Sequence, residues 1–279
     1  MYSKKIISAS IVLYNPDIEQ LKNVVISFFP SKYRLLYLID NSPKKIDTAA
    51  LLFDHRHIFY YFTGENKGYG AGHNIAINMA IKNNAQYHIV LNLDLRFSSD
   101  IISSLITYME EHNDVVYILP KVIYPDGKTQ YLCKLLPTPF DLIFRRFFPY
   151  IKFVQKLNDK YILLNSGYNK IINPPCLSGC FMFLRMNTIK ENNIFFDERF
   201  FMYCEDFDFI RRLHRVGKTI FYPNVSIIHD HAKESYKSKK MLIEHIKSAI
   251  KYFNKWGWFF DKERKLMNKQ ILDEIMLRS

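Results

Sequence analysis

Residues 6–28 have the sequence IISASIVLYNPDIEQLKNVVISF, and this stretch decides the fold. Residues 6–13 form an uncharged, largely apolar run, as expected of a strand that is buried on both faces. After the Asn15-Pro16 turn, apolar side chains recur at the three- and four-residue spacing of a helix that packs on one face. These helical positions are Leu21, Val24, Val25 and Phe28. The stretch therefore predicts one strand followed by one helix.

The same alternation continues along the first half of the chain. Strands are predicted at 35–39, 58–62, 88–93 and 115–119, and helices at 48–53, 71–82 and 98–109. Such alternation is typical of an α/β protein with a mostly parallel, doubly wound sheet. Residues 120–175 contain seven prolines, and we interpret them as an irregular insertion. Further strands are predicted at 177–185, 219–222 and 225–229, and helices at 205–216, 238–253 and 261–277.

The composition excludes several classes of protein. Gly and Pro together make up 20 of 279 residues, which excludes collagen-like and low-complexity chains. The 23 Phe and 19 Tyr exclude a disordered chain. No stretch of about 18 residues is free of charge, so no transmembrane helix is predicted. The four cysteines have neither zinc-site nor redox spacing, which favours reduced thiols in a cytosol.

The net charge of +12 suits nucleic acid, an anionic membrane surface or phosphorylated substrates. Residues 233–278 carry 12 basic and 6 acidic side chains, which is half of the excess. Residues 140–156 interleave six aromatic side chains with Arg145, Arg146, Lys152 and Lys156. Basic residues among large aromatics suit a lipid headgroup interface. A surface helix that buries its aromatics in the core explains the same pattern equally well.

Polar residues follow four of the predicted strands. They are Tyr14-Asn15, Asp40-Asn41, Asn66-Lys67-Gly68 and Asn92-Leu93-Asp94. Ligands of doubly wound sheets bind at the carboxyl ends of the strands, so these ends favour a nucleotide site. The glycine-rich stretch 66–74 opens a helix, where backbone amides suit a phosphate. Its spacing differs from that of a dinucleotide-binding fingerprint. A carboxylate and an amide at 94 and 92 suit a divalent cation held against a diphosphate.

Two clusters near the end of the chain have both a structural and a functional interpretation. Glu205, Asp206 and Asp208 crowd a helix start, where they either stabilise the helix dipole or supply a general base. Adjacent acids raise each other's pKa, which helps a base that works near neutral pH. His229-Asp230-His231 follows a strand and is either structural or a metal or phosphate contact.

Seven segments in order give the sequence a resemblance to family 2 glycosyltransferases with the GT-A fold, over nearly its full length. They are residues 11–15, 38–42, 66–74, 91–94, 178–182, 196–208 and 229–235. A finer likeness, through the stretch from His229 to the basic helix with His245 and Tyr252-Phe253, is to bacterial rhamnosyltransferases of O-antigen and other surface polysaccharides. The resemblance implies a GT-A domain at 1–232, with a nucleotide-sugar half (1–119) and an acceptor and catalytic half (120–232). Basic C-terminal helices follow at 233–279.

The resemblance also implies roles for individual residues. Asp206 is the expected catalytic base, with Glu205 beside it. Asp94 and His229 are the expected ligands of Mg²⁺ or Mn²⁺. Asn92 stands where the family's Asp-x-Asp motif has its first Asp, and a neutral amide is a weaker ligand. The expected donor-binding residues are Tyr14, Asn15, Asp40, Asn41, Asn66, Gly68, Gly70, Asn74, Asn92, Ser178 and Gly179.

The expected activity is an inverting transfer of L-rhamnose from dTDP-rhamnose to a hydroxyl of a growing surface glycan or a lipid-diphosphate-linked acceptor. Alternatives are a UDP-galactofuranose or UDP-hexose transferase of the same family, a non-catalytic nucleotide-sugar-binding protein, and a nucleic-acid-binding protein, for which no known motif is present. We expect a cytoplasmic protein that attaches peripherally to the inner face of the membrane. Its C-terminal helices either touch lipid or pair two chains in a homodimer.

Overall fold

A computed structural model of the chain describes residues 5–47, 55–142, 151–230 and 239–278, and within these ranges one eight-stranded sheet carries the fold. Its strands are β1 (Ile7–Leu13), β2 (Arg34–Asp40), β3 (Ile58–Phe62), β4 (Tyr87–Leu91), β5 (Leu95–Arg96), β6 (Val115–Ile123), β7 (Phe181–Arg185) and β8 (Lys218–His229). The order across the sheet is β3-β2-β1-β4-β7-β6-β8-β5. Strands β1 to β4 pair in parallel, as do β6 and β8. Strand β7 runs antiparallel between β4 and β6, and β5 is antiparallel to β8.

The helices of the described residues flank this sheet and follow it at the C-terminus. They are α1 (Ile18–Phe28), α2 (Tyr69–Lys82), α3 (Ile101–Glu111), α4 (Lys152–Tyr161), α5 (Met186–Glu191), α6 (Glu205–Leu213), α7 (Lys239–Trp256) and α8 (Lys262–Arg278). The predicted α/β architecture with a mostly parallel sheet is confirmed. The predicted helix at 48–53 and the residues Arg145, Arg146 and His231 lie outside the described residues.

The first strand and helix form as the sequence predicts. Strand β1 is buried along nearly its whole length. The apolar positions of α1 pack against the sheet and are at most 1% exposed: Leu21, Val24, Val25 and Phe28. The Asp17 carboxylate caps α1 by accepting hydrogen bonds from the amides of Glu19 (2.8 Å) and Gln20 (3.2 Å).

Three predicted boundaries are wrong for local reasons. The two strands predicted at 219–222 and 225–229 are one strand, β8, whose pairing with β6 skips residues 223–225, where Pro223 has no amide hydrogen to donate. Strand β7 begins only at Phe181, because residues 177–180 form a loop. Helix α6 ends at Leu213, and the chain turns through Gly217, which leaves Val216 exposed. The insertion at 120–175 is also partly regular, since it contains the end of β6 and helix α4.

A buried polar chain joins β1 to α2 and β4. The Ser8 hydroxyl lies 2.7 Å from Nδ1 of His88, and the Ser10 hydroxyl bridges His88 Nε2 (2.8 Å) and His73 Nδ1 (2.7 Å). Burial lowers the pKa of His88 to about 3 and the pKa of His73 well below its usual range. Both imidazoles are therefore neutral at physiological pH, and they fix the start of α2 against the sheet.

The C-terminal helices pack on α6 and on the segment that precedes it. Arg211 of α6 is 1% exposed and binds Asp261 (2.7 Å) and Glu263 (2.7 Å). Tyr252 and Phe253 of α7 pack against Phe200 and Cys204. The Ser248 hydroxyl donates to the Met202 carbonyl (2.7 Å). None of the helices in the described ranges combines the length and apolar composition that crossing a bilayer requires.

Candidate active site

The carboxyl ends of β1 and β2 meet the start of α2 at one edge of the sheet. The Asn41 amide donates to the Leu13 carbonyl (2.9 Å), and its side-chain Nδ2 donates to the Gly68 carbonyl (3.0 Å). The Asn15 amide donates to the Ser42 hydroxyl (2.8 Å), with Asn15 in the left-handed region at φ 45°. Tyr14 is half exposed beside them. The predicted convergence of these polar strand ends is therefore found.

Asp40 is fully buried at the end of β2. Its carboxylate accepts hydrogen bonds from the amides of Ser42 (2.9 Å) and Ile46 (3.2 Å) and from the Tyr60 hydroxyl. In this structure the carboxylate thus organises the loop that follows β2, and its contact with a nucleotide stays a prediction.

Three residues of the glycine-rich segment, Gly68, Gly70 and Asn74, pack against residues 196–201 instead of facing an open cavity. Gly68 has φ 88°, and a β-carbon there would lie 2.3 Å from the Phe201 carbonyl oxygen, which accepts from the Tyr69 amide (3.0 Å). A β-carbon on Gly70 would lie 2.8 Å from that of Phe196. The Asn74 carboxamide bonds both the amide and the carbonyl of Phe196 (2.9 Å each).

The glycines are thus needed for close packing of α2, and the donor contacts of Gly70 and Asn74 stay predictions. Asn66 lies outside this packing, and its Oδ1 accepts from the Gly68 amide (3.0 Å).

His229 and Asp94, the two predicted metal ligands, face each other. The His229 Nε2 lies 3.2 Å from Asp94 Oδ1. Gln130, which the sequence reasoning missed, fixes the imidazole: its Nε2 donates to the His229 carbonyl (2.7 Å), so its Oε1 accepts from His229 Nδ1 (3.0 Å). With a hydrogen on Nδ1, Nε2 is the ring nitrogen that faces the carboxylate, so Nε2 and Oδ1 are placed to bind one cation together. The described residues contain no group of three or more His, Cys, Asp or Glu side chains placed to hold a metal.

The Tyr69 hydroxyl lies at the centre of the site. It is 2.9 Å from the Gly179 carbonyl oxygen and 3.0 Å from the Asn92 carboxamide. Burial raises the pKa of Tyr69 well above its usual range, and the nearby carboxylates of Asp206 and Asp94 add to this effect. One phenol thus links the end of β4 to the loop before β7, against which Asp206 at the start of α6 packs. Tyr69 lies inside the glycine-rich segment, where the sequence reasoning considered only glycines and Asn.

Asp206 lies in the first turn of α6, packed against Gly179. A β-carbon on Gly179 would lie 3.1 Å from that of Asp206, and the Phe207 amide donates to Asp206 Oδ1 (2.9 Å). The two residues before α6, Tyr203 and Cys204, both have positive φ (67° and 60°), a costly conformation that often occurs at functional sites. Ser178 completes this loop, with its carbonyl held by the Tyr117 hydroxyl (2.7 Å).

The two carboxyls of Glu205 and Asp206 have different environments. Burial raises the pKa of Glu205 well above its usual range, and the charge of Asp206 adds to the effect. Its Oε2 has no hydrogen-bond partner in the described part of the chain. Burial also raises the pKa of Asp206, but the Lys134 ammonium and the amides of Phe207 and Gly179 oppose it. We infer that Glu205 keeps a proton while Asp206 ionises.

Lys134 is a second residue that the sequence reasoning missed. Its amide donates to the Cys176 carbonyl (2.8 Å), which fixes it beside the loop that carries Ser178 and Gly179. Its ammonium lies 5.7 Å from the ring centre of Phe207. No sequence signal marks this lysine, because only the pairing of residues 134 and 176 brings it to the site.

The chain is similar to known proteins in sequence and in fold. The family model described as Glycosyl transferase family 2 matches residues 10–207, from β1 to the start of α6. Rhamnosyltransferase WbbL of Escherichia coli (strain K12) is 28% identical over 201 residues, which cover 69% of this chain and 72% of that protein.

Two solved structures share the fold. S. aureus TarS 1–349 in complex with UDP-GlcNAc has a TM-score of 0.56 at 14% identity, covering 97% of this chain and 71% of that one. The mannosyltransferase PcManGT from Pyrobaculum calidifontis, in complex with GDP-Man and Mn²⁺, has a TM-score of 0.57 at 12% identity, covering 90% of this chain and 65% of that one. This chain therefore spans just under two thirds of the mannosyltransferase. At such identities the likeness shows the fold alone, and the GT-A type expected from the resemblance is confirmed. Since the family model covers most of the sequence, the chain belongs to glycosyl transferase family 2.

Proposed function

We propose that this protein is an inverting, metal-dependent glycosyltransferase that moves a sugar from a nucleoside diphosphate to an acceptor hydroxyl. The observation that carries the proposal is that the Tyr69 hydroxyl is bonded both to Gly179, against which Asp206 packs, and to Asn92, two residues before Asp94. A single displacement requires a base for the acceptor hydroxyl and a cation for the departing diphosphate, both within one site.

The Asp206 carboxylate is the proposed base. It takes the proton of the acceptor hydroxyl as that oxygen bonds to the anomeric carbon, while the bond from this carbon to the diphosphate oxygen breaks and the nucleoside diphosphate leaves. Attack from the face opposite the leaving group inverts the anomeric configuration. Glu205 is buried and protonated, so it places no second negative charge beside the base. A base of this kind supplies about 100- to 10,000-fold in rate.

Asp94 and His229 are the residues that would hold the divalent cation. Their facing Oδ1 and Nε2 atoms and the tautomer imposed by Gln130 fit such a group. A carboxylate and an imidazole suit Mn²⁺, and Mg²⁺ also accepts carboxylates. When bound, the cation would stabilise the negative charge of the departing diphosphate.

For the donor we propose dTDP-L-rhamnose, supported by the likeness to Rhamnosyltransferase WbbL. The alternative donors are UDP-galactofuranose and UDP-hexoses, and TarS in complex with UDP-GlcNAc has the same fold. The test is thermal stabilisation by dTDP, UDP, GDP and CDP, with and without Mn²⁺, followed by donor hydrolysis across nucleotide sugars. Selective stabilisation by dTDP is the expected result. A preference for UDP would replace rhamnose by the alternatives, and no shift with any nucleotide would favour a non-catalytic protein.

For the acceptor we propose a glycan or a lipid-diphosphate-linked glycan at the anionic inner face of the membrane. Three isoleucines at helical spacing, Ile243, Ile246 and Ile250, form an exposed stripe on α7 (52%, 47% and 43% exposed). Lysines 239, 240, 247 and 251 belong to the same helix. An apolar stripe with lysines suits anionic lipid, whereas a second copy of this helix would bring like charges together. Homodimerisation through α7 is the alternative.

A further inference from the structure

The Tyr69 hydroxyl has two close neighbours but only one proton to donate. Its oxygen lies 2.9 Å from the Gly179 carbonyl oxygen and 3.0 Å from Oδ1 of the Asn92 carboxamide. A backbone carbonyl can only accept a hydrogen bond, whereas a half-turn of the Asn carboxamide exchanges its oxygen for its NH₂ group. Both contacts are full hydrogen bonds only when Tyr69 donates to Gly179 and Asn92 donates to Tyr69.

The surroundings of Tyr69 and Asn92 hold both residues in this hydrogen-bonding arrangement. The Tyr69 ring packs edge-on against His73, with ring centres 4.4 Å apart, so the position of its hydroxyl is fixed. The Asn92 amide donates to the Cys180 carbonyl (2.8 Å), which fixes the backbone of Asn92. Within the described ranges, the Asn92 carboxamide has no hydrogen-bond partner except Tyr69. The half-turn therefore breaks no other contact.

We propose that Tyr69 is a positioning residue for Asn92: it receives the amide NH₂ and thereby turns the amide oxygen away from the phenol, to serve as a neutral ligand of the cation that Asp94 would hold. The inference rests on the proposed metal-dependent transfer. Amide oxygens are among the ligands that hard divalent cations accept. A carboxylate at position 92 could only accept, so it would compete with the Gly179 carbonyl for the one proton of Tyr69. This gives a physical reason for Asn where the family motif has Asp.

The test is Mn²⁺ binding to the full chain without nucleotide, followed by the loss of the electron paramagnetic resonance signal of free Mn²⁺. Tyr69→Phe should weaken Mn²⁺ binding about tenfold, as loss of an orienting partner typically does. Tyr117→Phe is the matched control, because its hydroxyl also donates to a carbonyl of the loop before β7, that of Ser178 (2.7 Å), but is not bonded to Asn92. It should bind Mn²⁺ as the unchanged protein does.

A second variant keeps the inference testable if Tyr69→Phe does not fold, which circular dichroism will show. Asn92→Leu removes the amide at similar volume and should weaken Mn²⁺ binding about as much, and the double variant should be no weaker than Asn92→Leu alone. Unchanged Mn²⁺ affinity in either single variant, while Asp94→Ala loses it, would overturn the role of Tyr69 only. Unchanged affinity in Asp94→Ala would instead remove the proposed metal site itself.

Discussion

A β-carbon on Gly179 would stand 3.1 Å from the β-carbon of Asp206. This contact places the carboxylate of α6 directly against the loop that leads into β7, with Tyr69 bonded to the same glycine (2.9 Å). The position of Asp206 is therefore set by three separate parts of the chain, and the predictions for the base follow from it.

Asp206→Asn should keep nucleotide binding and lose transfer by about two to four powers of ten, because an amide cannot take the acceptor proton. The measurements are single-turnover transfer and nucleotide-induced thermal stabilisation on the same sample. Asp126→Asn is the control, since Asp126 is exposed and, among the described residues, its carboxylate is bonded only to Lys128. Near-normal turnover in Asp206→Asn would remove this residue as the base.

Lys134→Gln should move the acid limb of the pH–rate profile to higher pH. The Lys134 ammonium lowers the pKa of Asp206 against the effect of burial, so its removal raises that pKa, and the base then ionises only at higher pH. We expect a shift of about one pH unit. Lys134→Arg should restore the profile, and Lys128→Gln, at an exposed ion pair, should leave it unchanged. An acid limb that stays in place would show that Lys134 does not act on the base.

Acid should destabilise the fold through its buried histidines. His88 has a pKa of about 3 when folded, and its pKa in the unfolded chain is about 6.5. The stability that neutral His88 contributes is fully present above pH 6.5 and is lost as the pH falls toward 3. In this range the unfolded chain binds a proton that the folded chain does not bind. Each such histidine changes the free energy of unfolding by about 1.4 kcal/mol per pH unit within this window.

Urea denaturation between pH 7.5 and 4 measures this slope. His88→Gln should be less stable at pH 7.5 but have a shallower pH dependence, by about one proton. His57→Gln, at a partly exposed position of the helical turn before β3, is the control. Identical slopes in the two variants would contradict the assignment of the acid effect to the buried chain of Ser8, His88, Ser10 and His73.

The isoleucine stripe of α7 should bind anionic vesicles. Replacing Ile243, Ile246 and Ile250 by Ser should abolish co-sedimentation with phosphatidylglycerol vesicles, whereas Ile26→Ser, at an equally exposed position of α1 (59%), should not. Binding should fall with salt, because lysines contribute to it. Loss of a dimer instead of vesicle binding in the triple variant would identify a second chain as the partner.

Residues 140–156 are the second candidate membrane contact, and a separate variant tests them. Phe153 is exposed there. Changing Arg145, Arg146 and Lys152 to Glu should weaken vesicle binding if this cluster contributes, and unimpaired binding would leave α7 as the membrane contact.

The parts of the molecule that the sequence predicts are those governed by local pattern. The spacing of Leu21 and Val25 predicts the buried face of α1, and the apolar run of β1 predicts a buried strand, because both depend on short-range periodicity. The polar strand ends converge as predicted, since parallel strands place their carboxyl ends at one edge. The role of Asn74 in holding Phe196 had no such signal, because its partner lies far along the chain. Lys134 was missed for the same reason.

The family model ends at residue 207, one residue after the proposed base and within the first turn of α6, yet α6 packs against residues far beyond that end. Arg211 depends on Asp261, and the Asp208 carboxylate accepts from the Trp256 indole (2.9 Å). A hybrid whose last forty or so residues lacked Asp261 and Glu263 would leave the buried guanidinium of Arg211 unpaired, which costs about 3–5 kcal/mol. Helix α6 and the C-terminal residues that hold Arg211 and Asp208 therefore form one packing unit, and an exchange between relatives would have to transfer both.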